Sequence, residues 1–219
     1  EHYDRLPKPL RRFQFGPVWR NEKPGPGRYR QFMQIDADTV GAANQAADAE
    51  ICMMAADCME ALGLERGDYV VRINNRKIMD GLLIAIGLDP EAEDYETTRL
   101  TILRAMDKFD RLGLDAVKAL LGEGRKDESG DFTKGAHLTP AQIDKVAQMV
   151  SIEANDRSHA LDAMAELVGG TEIGQQGLAE LRDMAELFTT LGYGEDRLAI
   201  DPSIVRGLGY YTGPVYEIE

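Results

Sequence analysis

The stretch VWRNEKPGPGRYRQFMQ, from Val18 to Gln34, decides how the N-terminal part of this 219-residue chain folds. On both sides of its KPGPG segment, apolar and polar residues alternate with a period near two, which is typical of β-strands. Proline and glycine in succession end a strand and favour a turn. The stretch therefore predicts an antiparallel hairpin whose two strands are joined by a loop at Lys23–Gly27.

The second predicted strand separates its residues into two faces, because successive side chains of a strand point to opposite sides of the sheet. One face is apolar, and we expect it to be a core face. The other face carries cations near the turn and carboxylates at the far end. The apolar face holds Tyr29, Met33, Ile35 and Ala37, and the polar face holds Arg28, Arg30, Phe32, Gln34, Asp36 and Asp38.

The hairpin is basic, although the chain as a whole has a net charge of -13. Residues 1–35 contain eight Lys and Arg against three Asp and Glu. The acidic total argues against a protein that binds nucleic acid over its whole surface, but it leaves room for a local phosphate site. Arg20, Arg28 and Arg30 can converge on one anion, and the planar, permanently charged guanidinium suits phosphate.

The remaining groups of the polar face favour a nucleotide ligand. Phe32 can stack on a base, while Gln34, Asp36 and Asp38 can hold an ammonium or amide group. Together these residues describe a cradle for a nucleoside triphosphate beside a cationic small molecule. The alternative is a solvated sheet face of mixed charge, which spacing alone does not exclude.

A second candidate site is RGLGYYTG, Arg206–Gly213. Its glycines allow the backbone to turn tightly. Tyr210 and Tyr211 offer two aromatic walls that carry hydroxyls, and Arg206 provides a fixed cation at the edge. The alternative is an ordinary glycine-bent strand whose tyrosines pack into the core.

The rest of the chain predicts a mixed fold with a helical interruption. Helical spacing covers residues 46–62, and a strand followed by a helix is predicted over residues 67–87. From there helical patterns dominate until strand character returns near the C-terminal end. Thr139 and Pro140 form a helix start, and the polar, glycine-rich residues 122–137 predict a loop. We therefore predict an α+β frame that is interrupted by a helical domain, with the frame at 1–87 and 195–219 and the insertion at 88–194.

Composition and missing motifs exclude several classes of protein. A hydrophobic content of 43% with 29% charged residues is typical of a soluble globular protein, and no apolar run approaches the ~20 residues of a membrane helix. No P-loop or dinucleotide fingerprint is present, and three scattered histidines lack metal-ligand spacing. We interpret Cys52 and Cys58 as small core side chains in a reducing cytoplasm. The chain starts at Glu1 and ends on VYEIE, so we expect a piece of a longer protein.

Three motifs resemble one family. FGPVWRNEKPGPGRYRQFMQIDADTVG, residues 15–41, resembles motif 2 of class II aminoacyl-tRNA synthetases in the form found in the histidyl-tRNA synthetase family. RINNRKIMDG, residues 72–81, is similar to the strand and helix that follow it there. VRGLGYYTGPVYE, residues 205–217, is similar to the family's histidine-specific signature. The resemblance implies part of a class II antiparallel sheet with flanking helices, interrupted by an all-α insertion domain.

The resemblance implies roles in ATP binding for four residues of motif 2. Arg20 matches the arginine that holds the α-phosphate of ATP, and Glu22 faces the adenine end of the site. Arg28 corresponds to the loop arginine that binds the outer phosphates. Phe32 corresponds to the ring that stacks on adenine.

Histidine recognition is implied for both motifs. Gln34 and Asp38 match positions that bind the substrate α-amino group, and Asp38 departs from the glutamate of many members. Arg206 matches an arginine that contacts the α-phosphate where other class II enzymes place a metal. Tyr210 and Tyr211 match the imidazole pocket. Gly209 stands where the family often has aspartate.

The implied activity is the ligation of histidine to tRNA(His) through a histidyl-adenylate, with ATP and Mg²⁺ as cofactors and with no metal ligands from the protein. The full-length enzyme is expected to be a cytoplasmic homodimer without membrane association. We expect this piece alone to be inactive. The alternative is a catalytically inactive, histidine-binding paralogue that acts as a regulatory subunit of ATP phosphoribosyltransferase. Such paralogues are expected to lack the helical insertion and the phosphate-binding arginines.

Overall fold

The computed structural model describes residues 3–126, 130–206 and 210–219. The chain divides into two compact units, residues 1–47 and residues 48–219. We call them the hairpin unit and the main unit.

The hairpin unit contains a short 3-10 helix, Tyr3–Arg5, and the strands β1 (Leu10–Trp19) and β2 (Gln31–Val40). The two strands pair antiparallel over their whole length, so the predicted hairpin is confirmed. At its tip Gly25 and Arg28 exchange backbone hydrogen bonds of 3.1 and 3.0 Å. Gly27 closes this turn at a φ of 70°, a conformation that favours glycine.

The strand register confirms the predicted separation of the two faces for Phe32–Asp38, whereas Arg28, Tyr29 and Arg30 lie before β2. Residues opposite each other in the pair share a face, so the first strand adds Phe13, Phe15 and Trp19 to the apolar face. The expectation of a core face is not met, because the large side chains of this face are 56–81% exposed. A hairpin has no second layer of its own, and an apolar face is buried only when another layer packs on it. Within the two strands, the five large side chains of the apolar face are those of Phe13, Phe15, Trp19, Met33 and Ile35.

The main unit is built on a three-stranded sheet. Its central strand, β3 (Val71–Asn75), pairs parallel with β6 (Leu198–Ile200) and antiparallel with β7 (Pro214–Ile218). The helix α1 (Gln45–Ala61) precedes β3, and α2 (Arg76–Ala85) follows it without a loop. The start of α2 is capped by Asn75, whose side chain accepts a hydrogen bond from the backbone N–H of Lys77 at 3.0 Å.

In the described part of the chain, five helices lie between α2 and β6. The helix predicted to start at Pro140 does so, with Thr139 and Gln142 forming a capping box. Residues 122–137, predicted as a loop, instead include a short antiparallel pair of strands. Gly124 makes this pairing possible, since a Cβ there would lie 2.2 Å from the carbonyl oxygen of Thr133. The elements are α3 (Tyr95–Met106), α4 (Phe109–Leu121), β4 (Gly124–Lys126), β5 (Phe132–Lys134), α5 (Pro140–Val150), α6 (Arg157–Val168) and α7 (Glu172–Thr190).

One hydrophobic core runs through the main unit. It joins buried residues of the sheet, such as Ile73, to residues of α2 and α7, such as Leu82 and Phe188. The boundaries proposed for a separate insertion at 88–194 therefore stay a prediction. Cys52 belongs to this core as expected, whereas Cys58 is exposed.

Candidate active site

Arg20 lies directly after β1, and its side chain crosses to residues of β2. Its Nη2 donates to the side-chain oxygen of Gln34 at 3.1 Å. Its guanidinium carbon lies 5.0 Å from the centre of the Phe32 ring. Among the residues that the structure describes, no carboxylate pairs with Arg20. Its positive charge is therefore available to an anion.

The polar face continues from Gln34 toward carboxylates. The amide nitrogen of Gln34 donates to Asp36 Oδ2 at 3.2 Å, and Arg12 lies 2.7 Å from Asp38 Oδ2. The second oxygen of Asp36, Oδ1, is inaccessible to solvent and has no hydrogen-bond partner in the described part of the chain. Leaving such an acceptor unpaired is costly. A ligand that donates hydrogen bonds can relieve this cost if the Asp36 side chain rotates to expose the oxygen.

At the tip of the hairpin, the predicted ATP residues are paired with one another. Arg28 donates from Nε to Glu22 Oε2 at 2.7 Å, and its Nη2 lies 2.6 Å from the same oxygen. Arg30 donates to the backbone oxygen of Glu22 at 3.2 Å. A phosphate that binds Arg28 must therefore compete with Glu22.

In the main unit, Arg206 is held by two carboxylates. It donates to both oxygens of Glu217, at 2.5 and 2.6 Å, and lies 3.5 Å from Asp107 at the C-terminal end of α3. The hydrogen bond with Glu217 raises the pKa of Arg206 above its ordinary value. Burial is the main cause that raises the pKa of Asp107, and Glu217 adds to it. An anion at Arg206 has to displace or share these partners.

The two tyrosines of the second candidate site are exposed and contact each other. Their ring centres are 5.3 Å apart in an edge-to-face arrangement, and the side chains of Tyr210 and Tyr211 are 85% and 51% exposed. This exposure argues against tyrosines that pack into the core. Gly207, Leu208 and Gly209 lie outside the described residues, so the departure at Gly209 is not described structurally.

The structure joins Arg20 to Phe32 and Gln34, and it pairs Arg28 with Glu22 and Tyr210 with Tyr211. The roles assigned to these residues stay predictions. Sequence reasoning missed Asp107 and Glu217 as partners of Arg206. Glu217 lies in the motif that carried the resemblance, so proximity along the chain was a usable signal. No local signal points to Asp107, which is 99 residues before Arg206. The hairpin unit carries Arg20, Glu22, Arg28, Phe32, Gln34 and Asp38, and the main unit carries Arg206, Tyr210 and Tyr211.

Comparisons with known proteins now decide the family. The profile described as "Histidyl-tRNA synthetase" matches residues 1–218. The chain belongs to the histidyl-tRNA synthetase family. It is 59% identical over 216 residues to the histidine–tRNA ligase of Jannaschia sp. (strain CCS1), a match that covers 99% of this chain and 42% of the relative. It is 58% identical over 219 residues to the histidine–tRNA ligase of Rhizobium leguminosarum bv. trifolii, with coverage of 100% and 42%.

A solved structure of this family confirms the predicted fold class. The crystal structure of histidyl-tRNA synthetase from Nostoc sp. PCC 7120 aligns with a TM-score of 0.79 at 29% identity, over 99% of this chain and 45% of that one. A Bacillus halodurans protein titled "ATP phosphoribosyltransferase regulatory subunit/histidyl-tRNA synthetase" shares the fold, with a TM-score of 0.72 at 22% identity, over 99% of this chain and 49% of that one. The chain spans less than half the length of the curated histidyl-tRNA synthetases it matches.

Two further observations concern membrane insertion and metal binding. None of the helices in the described ranges is long and apolar enough to cross a membrane. Within the same ranges, no group of three or more His, Cys, Asp or Glu residues is arranged to hold a metal ion.

Proposed function

We propose that the protein to which this chain belongs activates histidine with ATP and transfers the histidyl group to the 3′ end of tRNA(His). The observation that carries the proposal is the order of groups along the polar face of the hairpin. A guanidinium at Arg20 is followed by the ring of Phe32, the amide of Gln34 and the carboxylates of Asp36 and Asp38. This order suits a phosphate, a base and an ammonium group.

In the first step the histidine carboxylate attacks the α-phosphorus of ATP, an O–P bond forms, and pyrophosphate leaves. Arg20 and Arg206 neutralise charge that develops on the α-phosphate, and Arg28 exchanges Glu22 for the outer phosphates. Positioning and charge neutralisation supply most of the catalysis of such displacements. Magnesium that accompanies ATP would neutralise the outer phosphates, and we assign it no protein ligand.

The other roles follow the same pattern. Gln34 and Asp38 bind the α-amino group of histidine, and Tyr210 and Tyr211 surround the imidazole. Glu22 contacts the adenine end of ATP, and Phe32 stacks on adenine. Because Arg20 already covers one face of the Phe32 ring, the base takes the other face or displaces that side chain. We further propose that the whole enzyme is a homodimer of the cytoplasm.

The function is tested on the full-length protein by histidine-dependent exchange of pyrophosphate into ATP and by charging of tRNA(His). Both activities are expected. Histidine binding without exchange or charging would instead support the regulatory paralogue of ATP phosphoribosyltransferase.

The role of Arg206 is tested by Arg206→Ala in the same protein. Loss of a contact to the charge that develops in a transition state costs about 10²–10³ in rate, and we expect the exchange rate to fall by this factor. Histidine binding should change much less. The control is Arg182→Ala, which removes an exposed arginine 3.6 Å from Asp162 and should leave exchange unchanged. Equal losses in binding and in rate would contradict the role assigned to Arg206.

A further inference from the structure

Where β3 passes directly into α2, the chain changes direction over Asn74–Arg76, which we call the β3–α2 turn. This turn holds both ends of the second candidate site, which we call the signature segment (Arg206–Gly213). The side-chain nitrogen of Asn74 donates to the backbone oxygens of Pro202 and Ile204, at 3.1 and 2.9 Å, shortly before the segment begins. At the other end, the backbone N–H of Arg76 donates to the oxygen of Gly213 at 2.9 Å. The position of this turn therefore determines where the segment starts and ends.

The middle residue of the same turn is held by α7. Asn75 is fully buried, and its side-chain nitrogen donates to Glu180 Oε2 on α7 at 2.7 Å. The other carboxylate oxygen of Glu180 accepts from the ammonium of Lys77, in the first turn of α2. A buried amide that loses its hydrogen-bond partner costs free energy. Asn75 is therefore held where Glu180 can accept its hydrogen bond.

The two helices pack too closely to move independently. A Cβ added to Gly81 of α2 would lie 2.8 Å from the Cα of Gly174 on α7. A Cβ added to Gly177, one turn before Glu180, would lie 2.9 Å from the Cβ of Lys77. A shift of α7 must therefore also shift the first turn of α2 and the turn that precedes it.

We propose that Glu180 is a positioning residue for histidine activation, which rests on the function proposed above. Through Asn75 it fixes the β3–α2 turn, and through that turn it fixes both ends of the signature segment. Since Glu180 lies on α7, this helix sets where the signature segment begins and ends.

The kinetic test uses Glu180→Ala in the full-length protein. A misplacement of about 1 Å far from the chemistry can cost about 10²-fold in rate, so we expect a loss in kcat/KM for histidine of at least about tenfold in pyrophosphate exchange. The KM for ATP should change much less, because the residues assigned to adenine and to the outer phosphates lie in the hairpin unit. Glu180→Gln keeps an oxygen that accepts from Asn75 and should restore most of the activity.

The control is Glu186→Ala, which removes an exposed carboxylate from the same helix. It should leave exchange kinetics unchanged. A Glu180→Ala enzyme that melts at a lower temperature, yet keeps wild-type kcat and KM for histidine while folded, would overturn the proposal.

A second measurement does not depend on catalysis. Hydrogen exchange at the backbone N–H of Arg76, whose acceptor is Gly213, should be faster in Glu180→Ala and unchanged in Glu186→Ala. Unchanged protection in Glu180→Ala would overturn the positioning role. Absence of exchange of pyrophosphate in the wild-type protein would instead count against the proposed function, so the two failures are distinguishable.

Discussion

The arginines of this chain are of two kinds, and their hydrogen-bond partners distinguish them. Some stabilise the fold, and others are available to ligands. Arg157 is 6% exposed and donates to the backbone oxygens of Leu198 and Tyr193 at 2.9 and 2.6 Å. It therefore joins the start of α6 to β6 and to the segment after α7. Arg20 is exposed, and the described hydrogen bond of its side chain is to the neutral amide of Gln34. The first pattern stabilises the fold, and the second suits an anion.

Glu60 links a single residue to the pH dependence of stability. Its Oε1 lies 2.8 Å from Arg66 Nε, 3.1 Å from the Tyr69 hydroxyl and 2.9 Å from Arg197 Nε. The hydrogen bond from Arg66 is the main cause that lowers the pKa of Glu60, and it outweighs an opposing effect of burial. A carboxyl whose folded pKa is lowered stabilises the fold above its unfolded pKa, and this contribution is lost as pH falls through the folded pKa.

We therefore expect wild type to melt at a higher temperature than Glu60→Gln at about pH 7, with a gap that narrows toward about pH 3. Melting curves of both proteins over this range check the prediction. Glu166→Gln, at an exposed residue of α6, should show no comparable gap at any pH. If the difference in melting temperature between wild type and Glu60→Gln stays constant with pH, the charge of Glu60 is not the source of the difference.

At the scale of elements, glycines decide how closely α2 and α7 approach. Position 81 faces backbone atoms of Gly174, which cannot rotate away as a side chain can. The contact brings Asn75 and Lys77 within reach of Glu180. Helix packing and the polar contacts at the start of α2 therefore depend on each other.

The variant Gly81→Ala tests this packing. Alanine gains about 1 kcal/mol of helix propensity over glycine, but overpacking costs about 1–3 kcal/mol. Because the clash is with backbone, we expect the packing cost to exceed the gain, which lowers the free energy of unfolding in urea. Gly170→Ala places its Cβ where no atom lies within 4 Å and serves as the control. An increase in stability for Gly81→Ala would show that the two helices separate easily.

At the scale of the whole molecule, the apolar face of the hairpin is the feature that predicts behaviour in solution. Its five large side chains are each more than half exposed. Contiguous exposed apolar surface favours association. Trp19 is the only tryptophan of the chain, so its fluorescence reports on this face.

We expect the 219-residue chain to self-associate as its concentration rises, with Trp19 emission shifting to shorter wavelength and iodide quenching decreasing. Sedimentation velocity and quenching at matched concentrations check this. Phe15→Ser together with Ile35→Thr should weaken association, since both residues lie on the apolar face. Leu62→Ser, at a 76% exposed position in the main unit, should not. Strong shielding of Trp19 in the monomer would contradict an open face.

What the sequence by itself determined is local. Alternation around the KPGPG segment predicted the hairpin and the division of its faces, and Thr139 with Pro140 predicted the start of α5, because turns, caps and periodicity depend on neighbouring residues. The family motifs further indicated which side chains handle ATP and histidine, although those roles stay predictions.

Only the tertiary structure decided which distant residues meet. Asn75 and Glu180 are 105 residues apart in sequence, and neither carries a local signal of its partner. The pairing of Arg206 with Asp107 and the exposure of Tyr210 likewise follow from packing. Such contacts depend on how whole elements pack on one another, because that packing sets where each backbone segment lies. A short stretch of sequence does not specify these positions, so it does not specify a side chain's distant partners.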